Sequence, residues 1–167
     1  MHHTWMCHCC GKQFNELALV RAALVPDPWL ALSDTERETR GNINKDVCII
    51  DREQFYVRGC LDVPIIDHDE VFSWGVWVSV SREKFVHIND MWDAKIPSDE
   101  PPIFGWLCNN IENYPATYGL KTNLHLRNHN IRPFIELEPT DHPLAIEQRE
   151  GITLRRVEEI IAATRTH

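Results

Sequence analysis

Cys7 and Cys10, in the opening stretch MHHTWMCHCCGKQF, form a Cys-x-x-Cys pair. Two thiolates at that spacing fold around one tetrahedral zinc at about 2.3 Å per sulfur. A structural zinc needs two more ligands, and neither a second Cys-x-x-Cys nor a His-x-x-x-His pair follows. Cys48, Cys60, Cys108, Cys9, His2, His3 and His8 are the residues able to complete the shell. Reduced thiols with no metal are the competing reading. A redox pair is a third, although such a pair normally opens a helix behind a strand.

A second group lies in TDHPLAIEQRE, where Asp141, His142, Glu147, Gln148, Arg149 and Glu150 fall in one helix and its cap. His142 at a helix start could act as a general base or help bind an anion with the free amides. The simpler reading has Asp141 as the cap, Pro143 in the first turn and Arg149 reaching a carboxylate, and it is the one preferred here. An enzyme built from residues distant in sequence would draw on His142, Arg58, Asp46 and Glu136. No GxSxG, HExxH, phosphate-binding glycine loop or EF-hand loop is present, so the common hydrolase, protease and nucleotide-binding signatures are absent. Trp77 and Trp106 each stand near a glycine, at 75 and 105. They could line an aromatic binding patch, or be covered by a second layer such as an N-terminal helix.

The elements that must position these residues follow from periodicity. NELALVRAALV reads as a helix stopped by Pro26 and Pro28, and Ser33 and Gly41 delimit a short surface helix. KDVCIIDREQFYVRGCLDVPII reads as a hairpin turning at Asp51 to Glu53. With Ile50 opposite Gln54, that register aligns Val47, Ile49, Phe55, Val57, Leu61 and Val63 on one apolar face. Asp46, Cys48, Tyr56, Arg58, Cys60 and Asp62 take the other face, and Asp46 falls opposite Arg58, predicting an ion pair. Cys48 and Cys60 then lie about 13 Å apart at strand rise, too far to share one ion.

VFSWGVWVSVS continues as a strand with Phe72, Trp74, Val76, Val78 and Val80 inward. Ser81 caps a helix carrying Phe85, Ile88 and Trp92. IFGWLC is a further strand. A second hairpin with a loop from Asn128 to Ile131 pairs Leu124 with Ile135 and Thr122 with Leu137, and sets Lys121 opposite Glu138. A helix from about Asp141 closes at Gly151, and Thr153 caps a final helix striped by Leu154, Val157, Ile160 and Ile161. The expected architecture is α+β: one domain over 1–167, an antiparallel sheet of about five or six strands with helices packed on it, and a Cys-rich knuckle over 1–14.

Composition narrows the function. The 167 residues carry 25 acidic against 17 basic side chains, a formal charge of -8. Such a field repels phosphate backbones and attracts basic partners. It argues against nucleic acid, as does a last helix holding Glu158 and Glu159 where a recognition helix would need cations. No apolar run approaches the roughly 20 residues of a membrane span. The opening lacks the pattern of a signal peptide, so a cytoplasmic protein is expected.

CHCCG, DVCIIDREQFYVRGCLDVPI, WGVWVSVS, GWL and TDHPLAIEQREGIT together resemble an uncharacterised bacterial family, domain of unknown function 2199, over nearly the whole chain. The resemblance implies a bacterial, single-domain protein and brings no activity with it. Where the family pattern often has a histidine, four residues after the second cysteine, this chain has Phe14. The sequence therefore points first to a non-catalytic acidic module that recognises a basic protein partner, as an immunity-type protein masks a toxin. A small-molecule enzyme using His142 is the alternative.

Overall fold

The computed structural model describes residues 5–6, 13–14, 19–128 and 130–164. Ten strands and five helices follow in chain order among them: β1 (Trp5–Met6), β2 (Gln13–Phe14), β3 (Val20–Ala22), α1 (Asp27–Leu30), α2 (Asp34–Arg40), β4 (Gly41–Ile43), β5 (Val47–Ile50), β6 (Gln54–Pro64), β7 (Val71–Val80), α3 (Arg82–Asp90), β8 (Ile103–Leu107), β9 (Lys121–His125), β10 (Phe134–Leu137), α4 (Pro143–Glu150) and α5 (Leu154–Thr164). The small β1–β2 ribbon is separate from the main sheet.

The main sheet corrects the expected architecture. Strands β6 to β10 run in order as a meander and close on themselves through a β10–β6 pairing, giving a five-stranded mixed barrel with β3, β4 and β5 as additions. An antiparallel meander with an odd number of strands must close with a parallel pair, and Phe134 does lie parallel to Cys60. Closure is possible because β6, at 11 residues, is long enough to serve two neighbours. Its first half pairs with β5 and its second half meets β10, while its other edge pairs with β7 from Phe55 to Pro64. Long strands coil, and coiling carries the two ends of a sheet together. Gly59 faces inward and makes the closure tight: a Cβ there would lie 2.5 Å from Ile135 Cγ1.

Both predicted hairpin registers are observed, Val47 with Val57 and Ile49 with Phe55 in one, Ile135 with Leu124 and Leu137 with Thr122 in the other. The inward residues Val57, Leu61, Phe72, Trp74, Val76, Val78, Leu107, Leu124 and Ile135 fill the barrel. The helices are short and pack towards its ends instead of covering a sheet face. Helix α3 brings Phe85 to 5.0 Å from Phe55, where β6 begins. Beyond its other end Ile152, between α4 and α5, bridges to Ile65. Leu144, Val157, Ile160 and Ile161 join the same core.

The helix expected through Val25 is also corrected. Val20–Ala22 is a strand parallel to β7, with Ala22 opposite Gly75. A Cβ on Gly75 would come within 2.9 Å of the Ala22 Cβ, so the bare glycine is what admits this strand. After it, residues 23–43 form a second layer over the outer wall of β5, β6 and β7. Ala23, Trp29, Leu32 and Ile43 pack there against a second buried cluster of Cys48, Ile50, Tyr56, Trp77 and Cys108. The sheet face expected to be polar is thus partly interior, because Cys48 and Tyr56 on it, with Ile50, Trp77 and Cys108 beside them, are apolar enough to carry a covering layer.

Candidate functional site

The covering layer ends over Trp77 and Cys108, and the next stretch of barrel wall is bare. Alternation along β8 sends Ile103, Gly105 and Leu107 inward and Phe104 and Trp106 outward. Phe104 is 43% exposed, Trp106 45%, and Tyr118, in the loop before β9, 46%. The Phe104 and Trp106 rings meet edge to face at 5.0 Å, and the Lys121 ammonium lies 6.0 Å from the Trp106 ring centroid. Acidic groups flank the strip: Asp27 acts electrostatically on Tyr118, Glu138 adjoins Lys121 through the backbone, and Glu136 is on the next strand beside Asn123. Burial, first, then Cys108 and Asp27, push the Tyr118 hydroxyl's pKa up, so it stays neutral and an aromatic contact surface.

Trp106 therefore lies where an aromatic patch requires it, and Trp77 does not. Trp77 is fully buried, donates its backbone N–H to the Asn109 side-chain oxygen at 2.8 Å, and donates its indole N–H to the Ala23 carbonyl at 3.1 Å. Phe104, Tyr118 and Lys121 were not singled out from sequence. The signal for Phe104 was available: once Trp106 faces outward, the residue two before it on the same strand must also.

His142, not Asp141, caps α4. Its Nδ1 accepts the Leu144 N–H at 3.1 Å and its Nε2–H donates to the Pro115 carbonyl at 3.1 Å. Both ring nitrogens are engaged by backbone, which makes the ring a brace between α4 and the 115 loop. One turn later, Gln148 is buried against the β6–β10 seam. Its Oε1 accepts Leu137 N–H at 2.8 Å, and its Nε2 donates to the Ile135 carbonyl at 2.8 Å and the Asp62 carbonyl at 3.2 Å. The parallel pairing of β6 and β10 is a single residue pair, so backbone groups beyond it need other partners. Gln148 supplies them. Glu147 holds the Tyr114 hydroxyl at 2.5 Å and the Arg156 guanidinium at 2.7 Å, tying α4 to the 114 loop and α5. The motif TDHPLAIEQREGIT is thus a clamp that finishes the barrel.

A cleft of about 370 Å³ lies in this seam, with Asp62, Glu136, Gln148 and Arg149 as its polar lining. Arg149 donates to the Thr140 carbonyl at 2.8 Å and closes a loop at the cleft's rim. Glu136 pairs with His125 at 3.1 Å. Asp46 does not pair with Arg58; it accepts from Arg132 Nε at 3.0 Å. Arg58 is instead buried flat over Trp77, 5.9 Å from its ring centroid. The predicted ion pair fails because the cross-strand tryptophan offers a larger contact and the 132 side chain reaches the carboxylate first. Arg58 and Asp46 are neighbours, the Arg58 backbone N–H donating to the Asp46 carbonyl at 2.9 Å, whereas His142 and Glu136 have their partners elsewhere, so the four residues proposed for catalysis do not form one site.

Cys7 and Cys10 lie outside the described residues. Among the described residues, no group of three or more His, Cys, Asp or Glu side chains could hold a metal ion. Burial raises the pKa of Cys108 and pushes the Cys48 thiol up to about 12, which keeps both protonated and makes them poor ligands for a distant ion. No helix among the described residues is long and apolar enough to cross a membrane.

Fold and site define a closed, clamped five-stranded barrel that offers a bare aromatic wall. Residues 6–152 match the family described as uncharacterized protein conserved in bacteria (DUF2199), and the chain belongs to that family. No curated protein and no solved structure matches it.

Proposed function

We propose that this protein is a non-catalytic binding module whose bare β8–β9 wall docks a basic protein partner, as an immunity-type protein would. The observation that carries the reading is the strip of Phe104 and Trp106 on the barrel wall with Tyr118 in the adjoining loop, each more than two-fifths exposed. Aromatic anchors on a fixed scaffold are the typical centre of a protein interface. Charge favours a basic partner: the formal charge is -8, Asp27, Glu136 and Glu138 flank the strip, and Lys121 already demonstrates a cation over Trp106. A partner's lysine or arginine would take the same kind of place on Phe104.

The test is isothermal titration against the purified products of neighbouring genes, one at a time. A genuine partner binds the parent protein and weakens at least about tenfold towards Trp106→Ala or Phe104→Ala. Its affinity also falls as salt is raised. Absence of binding by every candidate, or a partner indifferent to both substitutions, refutes the reading.

A zinc held by Cys7 and Cys10 belongs to the same proposal, as a staple for the N-terminus. Its support is that β1 and β2 pair antiparallel on either side of the Cys-x-x-Cys, Met6 opposite Gln13. Elemental analysis of protein purified without added zinc should find close to one equivalent, abolished by Cys7→Ala with Cys10→Ala; less than about a tenth of an equivalent ends the idea.

A further inference from the structure

On a different wall of the barrel, the outward row of β6 holds Arg58, Cys60 and Asp62, and the loop before β10 lays two more arginines across it. Arg132 bonds Asp46, and Arg127 faces Asp62 at 3.6 Å. Arg132 and Arg127 thus each have a carboxylate within 4.0 Å, on a chain whose formal charge is -8, and Arg58 has none that close among the described residues. Its Nη1 makes a long bond to the Lys45 carbonyl at 3.3 Å, and the same carbonyl also accepts Arg132 Nη2 at 3.4 Å. Its buried Nε has no partner.

This arrangement is costly as it stands. A guanidinium taken out of water needs a counter-charge or a full set of acceptors. Arg58, 9% exposed, has no direct ion pair and no full set of acceptors, and it shares one carbonyl with a like charge. Burial, then the neighbouring Arg132, lower its pKa, and the Asp46 carboxylate only partly offsets them. Core positions with a charge of this kind are ordinarily replaced by apolar residues of similar size without loss of stability. Beside it the Arg132 and Asp46 side chains keep 34% and 24% of their surface.

We propose that Arg58 and Arg132 form a binding site for a tetrahedral oxyanion, a phosphate or sulfate group, seated over the Lys45 carbonyl edge between the two guanidinium groups. Several oxygens on one centre allow such an anion to bridge both arginines while Asp46 keeps its bond to Arg132 Nε, which a single carboxylate could not do as readily. The anion supplies the charge that the site lacks. Cys60, a free and half-buried thiol two residues from Arg58 on the same strand face, borders the site and reports on it. The inference is independent of the aromatic wall and of any protein partner.

The experiment uses the full chain and inorganic phosphate, with sulfate, acetate and chloride at matched ionic strength. Calorimetry measures affinity, and mass spectrometry measures the rate at which iodoacetamide labels Cys60. Phosphate and sulfate are expected to bind with a dissociation constant near or below about 1 mM and to slow Cys60 labelling, while acetate and chloride do neither. Arg132→Gln, on a half-exposed side chain, should weaken phosphate at least about tenfold with folding intact. Arg58→Met should abolish binding while leaving thermal unfolding unchanged or shifted upward, so that the loss of binding cannot come from misfolding. Phosphate binding that survives both substitutions, equal protection by chloride, or no binding by the parent protein at about 20 mM overturns the proposal.

Discussion

Replacing Gln148 by alanine tests the clamp directly. The side chain is 9% exposed and makes three bonds into the seam, and each of its partners is a backbone group on β6 or β10. Truncation strands the Leu137 N–H, a buried donor worth about 1–3 kcal/mol when unpaired. It also removes one bond from each of two carbonyls, worth about 0.5–1.5 kcal/mol apiece. The sum is about 4 kcal/mol, a large part of the stability a domain of this size has. Urea unfolding followed by far-ultraviolet circular dichroism, with a slope of about 2 kcal/mol/M, should show the midpoint fall by about 2 M.

Gln148→Glu refines the test. A carboxylate still accepts from Leu137 but meets the Ile135 and Asp62 carbonyls with like polarity, so folding raises that carboxyl's pKa. A group whose folded pKa is raised stabilises the fold while protonated and loses that contribution as pH rises. The variant should therefore be weak at neutral pH and recover towards the parent as the buffer is made acidic. A loss below about 1 kcal/mol for Gln148→Ala, or no acid recovery for Gln148→Glu, would show that the seam is held by something else.

Three further outcomes are expected. Gly59→Ala, which drives a methyl to 2.5 Å from Ile135 Cγ1, should cost about 1–3 kcal/mol in chemical denaturation and regain part of it with Ile135→Ala; no coupling between the two would refute the packing. His142→Ala should lose about 0.5–2 kcal/mol through the α4 cap and nothing in binding by the aromatic wall. Cys48 has an ordinary thiol pKa of 9.0 when unfolded and about 12 when buried, so its contribution is intact below pH 9 and disappears as pH rises towards 12, by about 1.4 kcal/mol per unit. Cys48→Ala should flatten the alkaline arm of the stability profile by that slope, and an unchanged arm would rule the thiol out.

Local pattern was legible in the sequence, and closure was not. Alternation and turn length sufficed to pair Val47 with Val57 and Leu124 with Ile135, because a one-residue slip in either hairpin would expose its apolar set. Nothing in those patterns distinguishes an open sheet from a barrel. The difference rests on a single parallel contact between Phe134 and Cys60 and on a glutamine that is polar, buried and far away in sequence. The segment at 20–22 shows the same limit: its composition favours a helix, and the empty space above Gly75 decides for a strand. At the candidate site, Trp106 was singled out because a glycine stands beside it. Trp77 has the same signature and lies under the 23–43 layer, and only tertiary structure separates the two.

The position of Gln148 beyond the last strand of the barrel bears on biogenesis. Strands β6 and β10 are separated by some seventy residues of sequence, and their fastening arrives later still, so a nascent polypeptide cannot complete the fold until residue 148 has left the ribosome. Until then two unpaired strand edges remain available to other chains. Aggregation of any product terminated before residue 148 is the expected cost of fastening a barrel from beyond its last strand.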